Sequence, residues 1–265
     1  MYSRPTAPLP IGGVLDDAIK LYRESFVRCW PIAVLSALVK GAFGIVLLVY
    51  LREAMAARSV TAMMQAYRQP PLMALYILYF ALSIALLGGL IASQYAVVRG
   101  APISVGTALG LGFARLGRAV LAAIVTWVIL VVGFILLLIP GFYAIGVLCL
   151  WPVALYGDDA ASMQALGVSR DLVKRHWWRT TTILTVSIII ILVFTFIVGL
   201  VTGIFSVFTR HDLMAAQLYG QLVGVIANVF ALPAIPAVLV AIYNDLKLRR
   251  EGGDLAARLG ALPAS

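Results

Sequence analysis

Residues 119–157 read AVLAAIVTWVILVVGFILLLIPGFYAIGVLCLWPVALYG. No charge interrupts these 39 positions, which as one α-helix would measure roughly 58 Å at 1.5 Å per residue. A bilayer's hydrocarbon core is about 30 Å thick, so the stretch is too long for a single crossing. Pro140-Gly141 is the natural break, because Pro removes a helix donor and Gly permits a turn. Two helices, 119–139 and 141–157, joined by a tight turn fit the stretch. A re-entrant pair is the second reading.

The rest of the chain repeats the pattern. Of 265 residues, 63% are hydrophobic and 12% charged, with a mean hydropathy of +1.03. A soluble domain needs about a quarter charged residues to cover its surface. Alternating strand patterns are absent, which argues against a β-barrel. Further apolar spans lie at about 30–51, 72–98, 180–208 and 219–243. The reading is an all-α polytopic membrane protein with six transmembrane helices in three hairpins. Pro233 and Pro236 are expected to kink the last span. Gly199-x-x-x-Gly203 and Gly220-x-x-x-Gly224 suit close packing of the last two spans.

The net charge is +9, but the basic residues flank apolar spans, which fits lipid headgroups and topology better than nucleic acid. With six spans, fifteen of the twenty Lys and Arg fall on the side that holds both termini. The other side takes Arg52, Arg58, Arg68 and Arg210, and Lys40 lies inside the first span. The positive side is cytoplasmic. This places both termini on the cytoplasmic side of the membrane.

Three stretches on that side resemble one another: AIKLYRESFVR (18–28), ALGLGFARLGR (108–118) and ALGVSRDLVKR (165–175). Each precedes two apolar spans. The single membrane domain therefore divides into units 12–98, 102–157 and 160–245, with a tail over 246–265. Each unit reads as a cytoplasmic interfacial amphipathic helix followed by a hairpin. In the first, Leu15, Ala18, Ile19, Tyr22 and Phe26 form one stripe, and Asp16, Asp17, Lys20, Arg23, Glu24 and Arg28 the opposite face. In the third, Asp171 and Arg175 form an i,i+4 pair, and Trp177 and Trp178 suit the interface. The glycines of the middle unit make it the poorest helix of the three.

Candidate sites follow from charge and placement. Arg23, Arg28, Arg115, Arg118, Arg170, Lys174, Arg175 and Arg179 are candidate lipid-headgroup ligands on the cytoplasmic face. Lys40 stands ten residues past Trp30, about 15 Å into the bilayer by helical rise, where an isolated Lys costs at least about 2.5–3.5 kcal/mol. Gln94 and Asn228 are its best partners on other spans, and the small residues of KGAFG (40–44) let another helix approach. Asp158-Asp159 reads as the capped start of the next helix. Gly252-Gly253 is expected to break the last helix and Asp254 to cap a short second one. His176 and His211 fall on opposite sides of the membrane, and Cys29 and Cys149 form no ligand pattern. No metal, cofactor or catalytic constellation is expected.

The motifs IPGFYAIGVLCLWPVALYGDDAASMQALGVSRDLVKRHWWR (139–179) and IYNDLKLRREGGDLAARL (242–259) resemble the bacterial family described as the membrane domain of glycerophosphoryl diester phosphodiesterase. The matching positions are Ile139, Pro140, Gly141 and Tyr143, then Ala165, Leu166, Ser169, Leu172, Val173, Lys174, Trp177 and Trp178. They close with Tyr243, Asp245, Leu246, Lys247, Arg249, Glu251, Gly252, Asp254 and Leu255. In some members this domain is fused to a soluble phosphodiesterase barrel, which these residues do not contain, so the resemblance implies no activity.

Two functions remain. The first is a non-catalytic membrane module that binds or organises anionic lipids or membrane partners, among them a second copy of the chain. The second is a small permease or channel for an anionic or amphipathic solute. A polar cavity joining Lys40, Gln94 and Asn228 would favour transport. A dry bundle with lateral grooves would favour lipid handling.

Overall fold

The computed structural model describes residues 2–57, 59–208 and 213–260, with side chains for all of these except 53–56, 205–208, 213–217 and 253–260. Arg58, Arg210 and His211 therefore lie outside the described residues. Among those described, the chain forms eleven helices and no strand. Six stretches are long and apolar enough to cross a membrane, and they mark the chain as a membrane protein: Ile11–Arg52, Pro70–Val98, Leu116–Leu136, Leu138–Gly157, Trp177–Ile204 and Leu218–Gly252.

The first interfacial helix is not a separate element. Helix α1 runs unbroken over Ile11–Ala56, 46 residues with Pro31 inside. Its buried stripe runs in one phase past Pro31: Val14, Ala18, Leu21, Ser25, Cys29 and Ile32 are all buried. Spacings of three and four leave no shift in phase at which the helix would turn. Asp17 belongs to the buried side, not the polar face: it is 7% exposed and accepts a hydrogen bond from Tyr2 Oη at 3.0 Å. Leu15, Tyr22 and Phe26 are half-buried and Ile19 is exposed.

After the short α2 (Val60–Tyr67), α3 (Pro70–Val98) returns antiparallel to α1. Cys29 on α1 reaches Ser93 on α3, and further along Phe43 stacks on Tyr79 at 4.2 Å. Helix α4 (Val105–Ala114) starts on Ser104, whose Oγ accepts from Thr107 N at 3.1 Å. The glycines that make it a poor helix also let it lie on α3. A Cβ at Gly112 would collide with the Ala85 carbonyl oxygen, and one at Gly89 would stand 3.3 Å from the Ala108 carbonyl oxygen.

Helices α5 (Leu116–Leu136) and α6 (Leu138–Leu148) form the hairpin of the apolar 39-residue stretch. The break falls at Leu137, with extended φ −167° and ψ 149°, three residues before Pro140. Pro140 sits in the first turn of α6, where its missing N–H would have had no intrahelical partner. Close approach is carried by glycine: a Cβ on Gly133 would lie 3.1 Å from Gly141 Cα. The return arm continues, after a turn at Cys149-Leu150, as α7 (Trp151–Gly157).

Helix α8 (Ser162–Val173) is a separate element. Ala165, Leu166, Ser169, Leu172 and Val173 are buried on one side, while Arg170, Asp171, Lys174 and Arg175 are exposed on the other. Helix α9 (Trp177–Phe208) follows. The last span is broken rather than kinked, into α10 (Leu213–Ala231) and α11 (Ala234–Gly260). Leu232 and Pro233 form a turn, and the Pro233 carbonyl accepts from Gln94 Nε2 at 2.8 Å. Helix α11 continues through Gly252-Gly253, where two glycines cost only about 1 kcal/mol each within a helix. On the last hairpin, a Cβ at Gly220 would meet Thr202 at 3.3 Å, but one at Gly199 or Gly224 would meet nothing.

Packing is uneven along the bundle. The largest cluster of buried residues joins Val14 and Leu21, Ile91 and Tyr95, Val147–Tyr156, Val173 and Val240–Leu246. These residues converge on one end, called here the polar end. The remainder of each long helix presents exposed Leu, Ile, Val and Phe. In water each such side chain would forfeit about 1.5–3 kcal/mol relative to burial, so this half fits acyl chains. Replacing Gly112 by Ala should lower thermal stability in detergent by roughly 1–3 kcal/mol through overpacking. Gly117→Ala, with nothing within 4 Å of the added methyl, should leave the melting temperature unchanged or raised. Equal effects of the two changes would contradict the α3–α4 contact.

Candidate functional site

The polar end is organised by three carboxylates. Helix α7 ends at Gly157 and the chain turns through Asp158 (φ −100°) and Asp159 (φ +57°). The second angle lies in the left-handed region, which Asp tolerates better than most side chains. Asp158 accepts four hydrogen bonds: from Tyr95 Oη at 2.6 Å, and from Arg99 Nη2, Tyr243 Oη and Lys247 Nζ at 2.7 Å each. Tyr95 fits against the chain there because position 157 is Gly: a Cβ would stand 2.9 Å from the Tyr95 ring. Partial burial opposes ionisation of Asp158, but donation from Lys247, Tyr243 and Tyr95 outweighs it and holds the carboxyl at about 2.

Asp159 faces other cations. It pairs with Arg118 Nη2 at 2.7 Å and Arg115 Nε at 3.1 Å. The hydrogen bond from Arg118, with the charge of Arg115, holds its carboxyl below the usual range. Arg115 Nη1 also donates to the Leu155 and Tyr156 carbonyls at 3.2 and 2.8 Å. It thereby satisfies acceptors left open at the C-terminus of α7 and places positive charge at the negative end of that helix.

Asp245 on α11 forms the third centre and is nearly closed to solvent, its side chain 4% exposed. It accepts from Leu9 N at 2.9 Å, Arg179 Nε at 3.1 Å and Arg249 Nε at 3.0 Å. Both arginines also donate to the Leu9 carbonyl, Arg249 at 2.7 Å. One carboxylate and the backbone of one residue, Leu9, thus tie the N-terminal segment, α9 and α11 together. Beside them, burial lowers the pKa of His176, and the charges of Arg249 and Arg179 lower it further, which favours the neutral imidazole.

This arrangement sorts the residues singled out from sequence. Among the headgroup candidates, Arg115, Arg118 and Arg179 are committed to internal carboxylates. Lys174 pairs with Asp171 at 2.8 Å, so Asp171 takes the i,i+3 partner rather than Arg175. Arg23, Arg28, Arg170 and Arg175 are exposed. In the intramembrane set, Lys40 Nζ donates to Asn228 Oδ1 at 2.9 Å. Position 41 is Gly where α10 passes, and a Cβ there would press on Val225. Gln94 is not part of this pair: it is fully buried, bonded to Pro233 O, and its Oε1 has no partner. Of the C-terminal motif, Tyr243, Asp245, Lys247 and Arg249 build the polar end, Glu251 is exposed, and the Asp254 side chain lies outside the described residues.

Asp158-Asp159 is not the start of a helix: α8 is capped at Ala161, and the two acids are ion-pair hubs. Tyr95, Arg99 and Leu9 were also missed. A signal existed in Tyr243 and Lys247, four apart on α11, which present a phenol and an ammonium to one point. Among the described residues, no three His, Cys, Asp or Glu lie close enough together to hold a metal ion.

Two polar basins open at this end. One of about 480 Å³ is lined by Asp158, Asp159, Gln164, Tyr243, Lys247 and Arg250. The other, of about 860 Å³, lies between the N-terminal segment and α1, at Tyr2, Asp16, Asp17, Lys20 and Arg23. Two apolar grooves open sideways. One of about 150 Å³ lies between α1, α9 and α11, at Leu15, Ile19, Tyr22, Ser187, Ile190 and Val238. The other, of about 500 Å³, lies at Phe80, Ile124, Trp127, Leu130 and Trp151. No family model, curated protein or solved structure matches the chain.

Asp158→Asn should destabilise the protein by about 1–3 kcal/mol, the range for leaving hydrogen-bonding partners of a part-buried group unsatisfied. The folded carboxyl titrates below its unfolded value, so its stabilisation is complete above about pH 4 and is lost as pH falls toward 2. Acid unfolding followed by tryptophan fluorescence in detergent should show a shallower loss over that window in Asp158→Asn than in the parent. Superimposable acid profiles would contradict this role.

Proposed function

We propose that this protein is a non-catalytic, multi-pass module of a bacterial inner membrane that binds anionic phospholipid, with its polar end and both termini cytoplasmic. The observation that carries the reading is the dry lateral groove between α1, α9 and α11. It suits an acyl chain, and at the same height Lys20 and Arg23 line the polar basin on the other side of α1. Arg28, Arg170 and Arg175 add exposed positive charge, and each such cation near an anionic surface is worth about 1 kcal/mol.

Transport is the weaker reading. It calls for Lys40, Gln94 and Asn228 around one polar cavity, whereas Lys40 and Asn228 satisfy each other and Gln94 binds the backbone at the α10–α11 break. The resemblance to the glycerophosphoryl diester phosphodiesterase membrane-domain family is part of the same proposal. The motif residues Tyr243, Asp245, Lys247 and Arg249 serve architecture in it, and no nucleic acid is involved.

Native mass spectrometry of protein extracted in lipid nanodiscs tests this. One anionic phospholipid class should be enriched over the bulk membrane. Changing Arg23, Arg28, Arg170 and Arg175 together to Gln should bring it to the bulk level, while Arg68→Gln at the far end should not. Bulk-like lipid around the parent protein would overturn the proposal.

A further inference from the structure

The α5–α6 hairpin has a tip unlike a water-exposed loop. Ile135, Leu136, Leu137, Leu138 and Ile139 are all exposed, between 67% and 80%, and no polar residue stands among them. Phe134 and Phe142 meet edge to face at 5.5 Å just behind the tip. Turns that reach water carry polar or small residues at such positions.

Height along the bundle gives an independent measure. Trp177, the first residue of α9, donates its indole N–H to the Tyr143 carbonyl at 3.2 Å, and the two rings lie 5.6 Å apart. From Tyr143 to Leu138 at the tip is about 8 Å of helix, whereas α9 runs on from Trp177 to Phe208 for about 46 Å. The tip therefore ends close to the level at which α9 begins.

The direction of the hairpin agrees. Helix α8 lies along it: Ser162 Oγ donates to Arg118 O at 2.8 Å, Ser169 Oγ donates to Val147 O at 2.7 Å, and Ser169 Oγ accepts from Leu150 N at 3.1 Å. Both ends of α8 are fixed at one level of α11. Before it, Asp158 binds Tyr243 and Lys247, and after it Arg179 binds Asp245. The hairpin and α8 thus run across the α11 axis near its polar end rather than beside it.

We propose that α5–α7 form a re-entrant wedge. It enters lipid from the polar end, lies with α8 in the near leaflet, and its tip, Ile135–Ile139, ends among acyl chains without reaching the far surface. The crossing segments are then α1, α3, α9 and α10–α11, an even number that keeps the N- and C-terminal segments on one side. A wedge of this kind takes up area in one leaflet only, so the partner it fits is the acyl-chain region of the near leaflet. The proposal rests on the membrane reading but not on which lipid the exposed cations hold.

Single-cysteine variants in a Cys29→Ala, Cys149→Ala background decide it. Leu137→Cys and Ile139→Cys report the tip, Gln69→Cys the far end and Gly167→Cys the polar end. In sealed proteoliposomes a membrane-impermeant maleimide, applied from either side, should leave both tip cysteines unlabelled and label each control from one side only. A nitroxide at either tip position should be more accessible to oxygen than to a soluble nickel chelate. Labelling of a tip cysteine from the side that labels Gln69→Cys would show a full crossing and overturn the wedge. Labelling from the side that labels Gly167→Cys would overturn its insertion. Either tip variant suffices if the other fails to fold.

Discussion

A single carboxylate, Asp158, takes donors from two phenols, a guanidinium and an ammonium, and the rest of the polar end is arranged around it. The four donors come from α3, its C-terminal cap and α11, 59 to 89 residues away in sequence. Such a group is stable only when all its partners are present, because a half-satisfied buried charge costs more than it returns. Asp159 and Asp245 repeat the principle on either side. Together they bind the N-terminal segment, α3, α5, α9 and α11 into one layer, so the helices need few specific contacts further along.

The two halves of the molecule consequently obey different physics. At the polar end, buried side chains, glycine-mediated approaches and saturated ion pairs fix helix positions. In the apolar half, helix–helix attraction has no hydrophobic driving force, since lipid is as apolar as leucine. Exposed Leu, Ile and Val on α5 and α9 leave room for lipid or for small shifts. The lateral groove of α1, α9 and α11 lies where these regimes meet.

Much of the helical plan was legible because hydropathy and helical period are local. The six apolar stretches follow from them directly. Helix boundaries were less legible. The sequence suggests a boundary near residue 30 between an interfacial helix and the first span, yet the buried stripe of α1 passes through Pro31 without a change of phase, and Gly252-Gly253 lies within α11. Lys40 and Asn228 were legible as partners because few polar groups exist at their depth. The roles of Asp158 and Asp159 were not, since nothing within ten residues of them names Tyr95, Arg99 or Lys247. The same long-range pairing withdraws Arg115, Arg118 and Arg179 from the candidate headgroup ligands, although by composition they are indistinguishable from Arg170 and Arg175.

The carboxylate layer, not the apolar half, holds the helices in register. Hydrogen exchange of the protein in nanodiscs, comparing the parent with Asp245→Asn, tests it most directly. The account predicts faster exchange at the start of α1, in the α8–α9 connection around residues 174–180 and at 245–252, with α3 residues 73–84 and α9 residues 190–204 unchanged. Unaltered exchange in the first three segments, or acceleration spread evenly through the apolar halves, would contradict it.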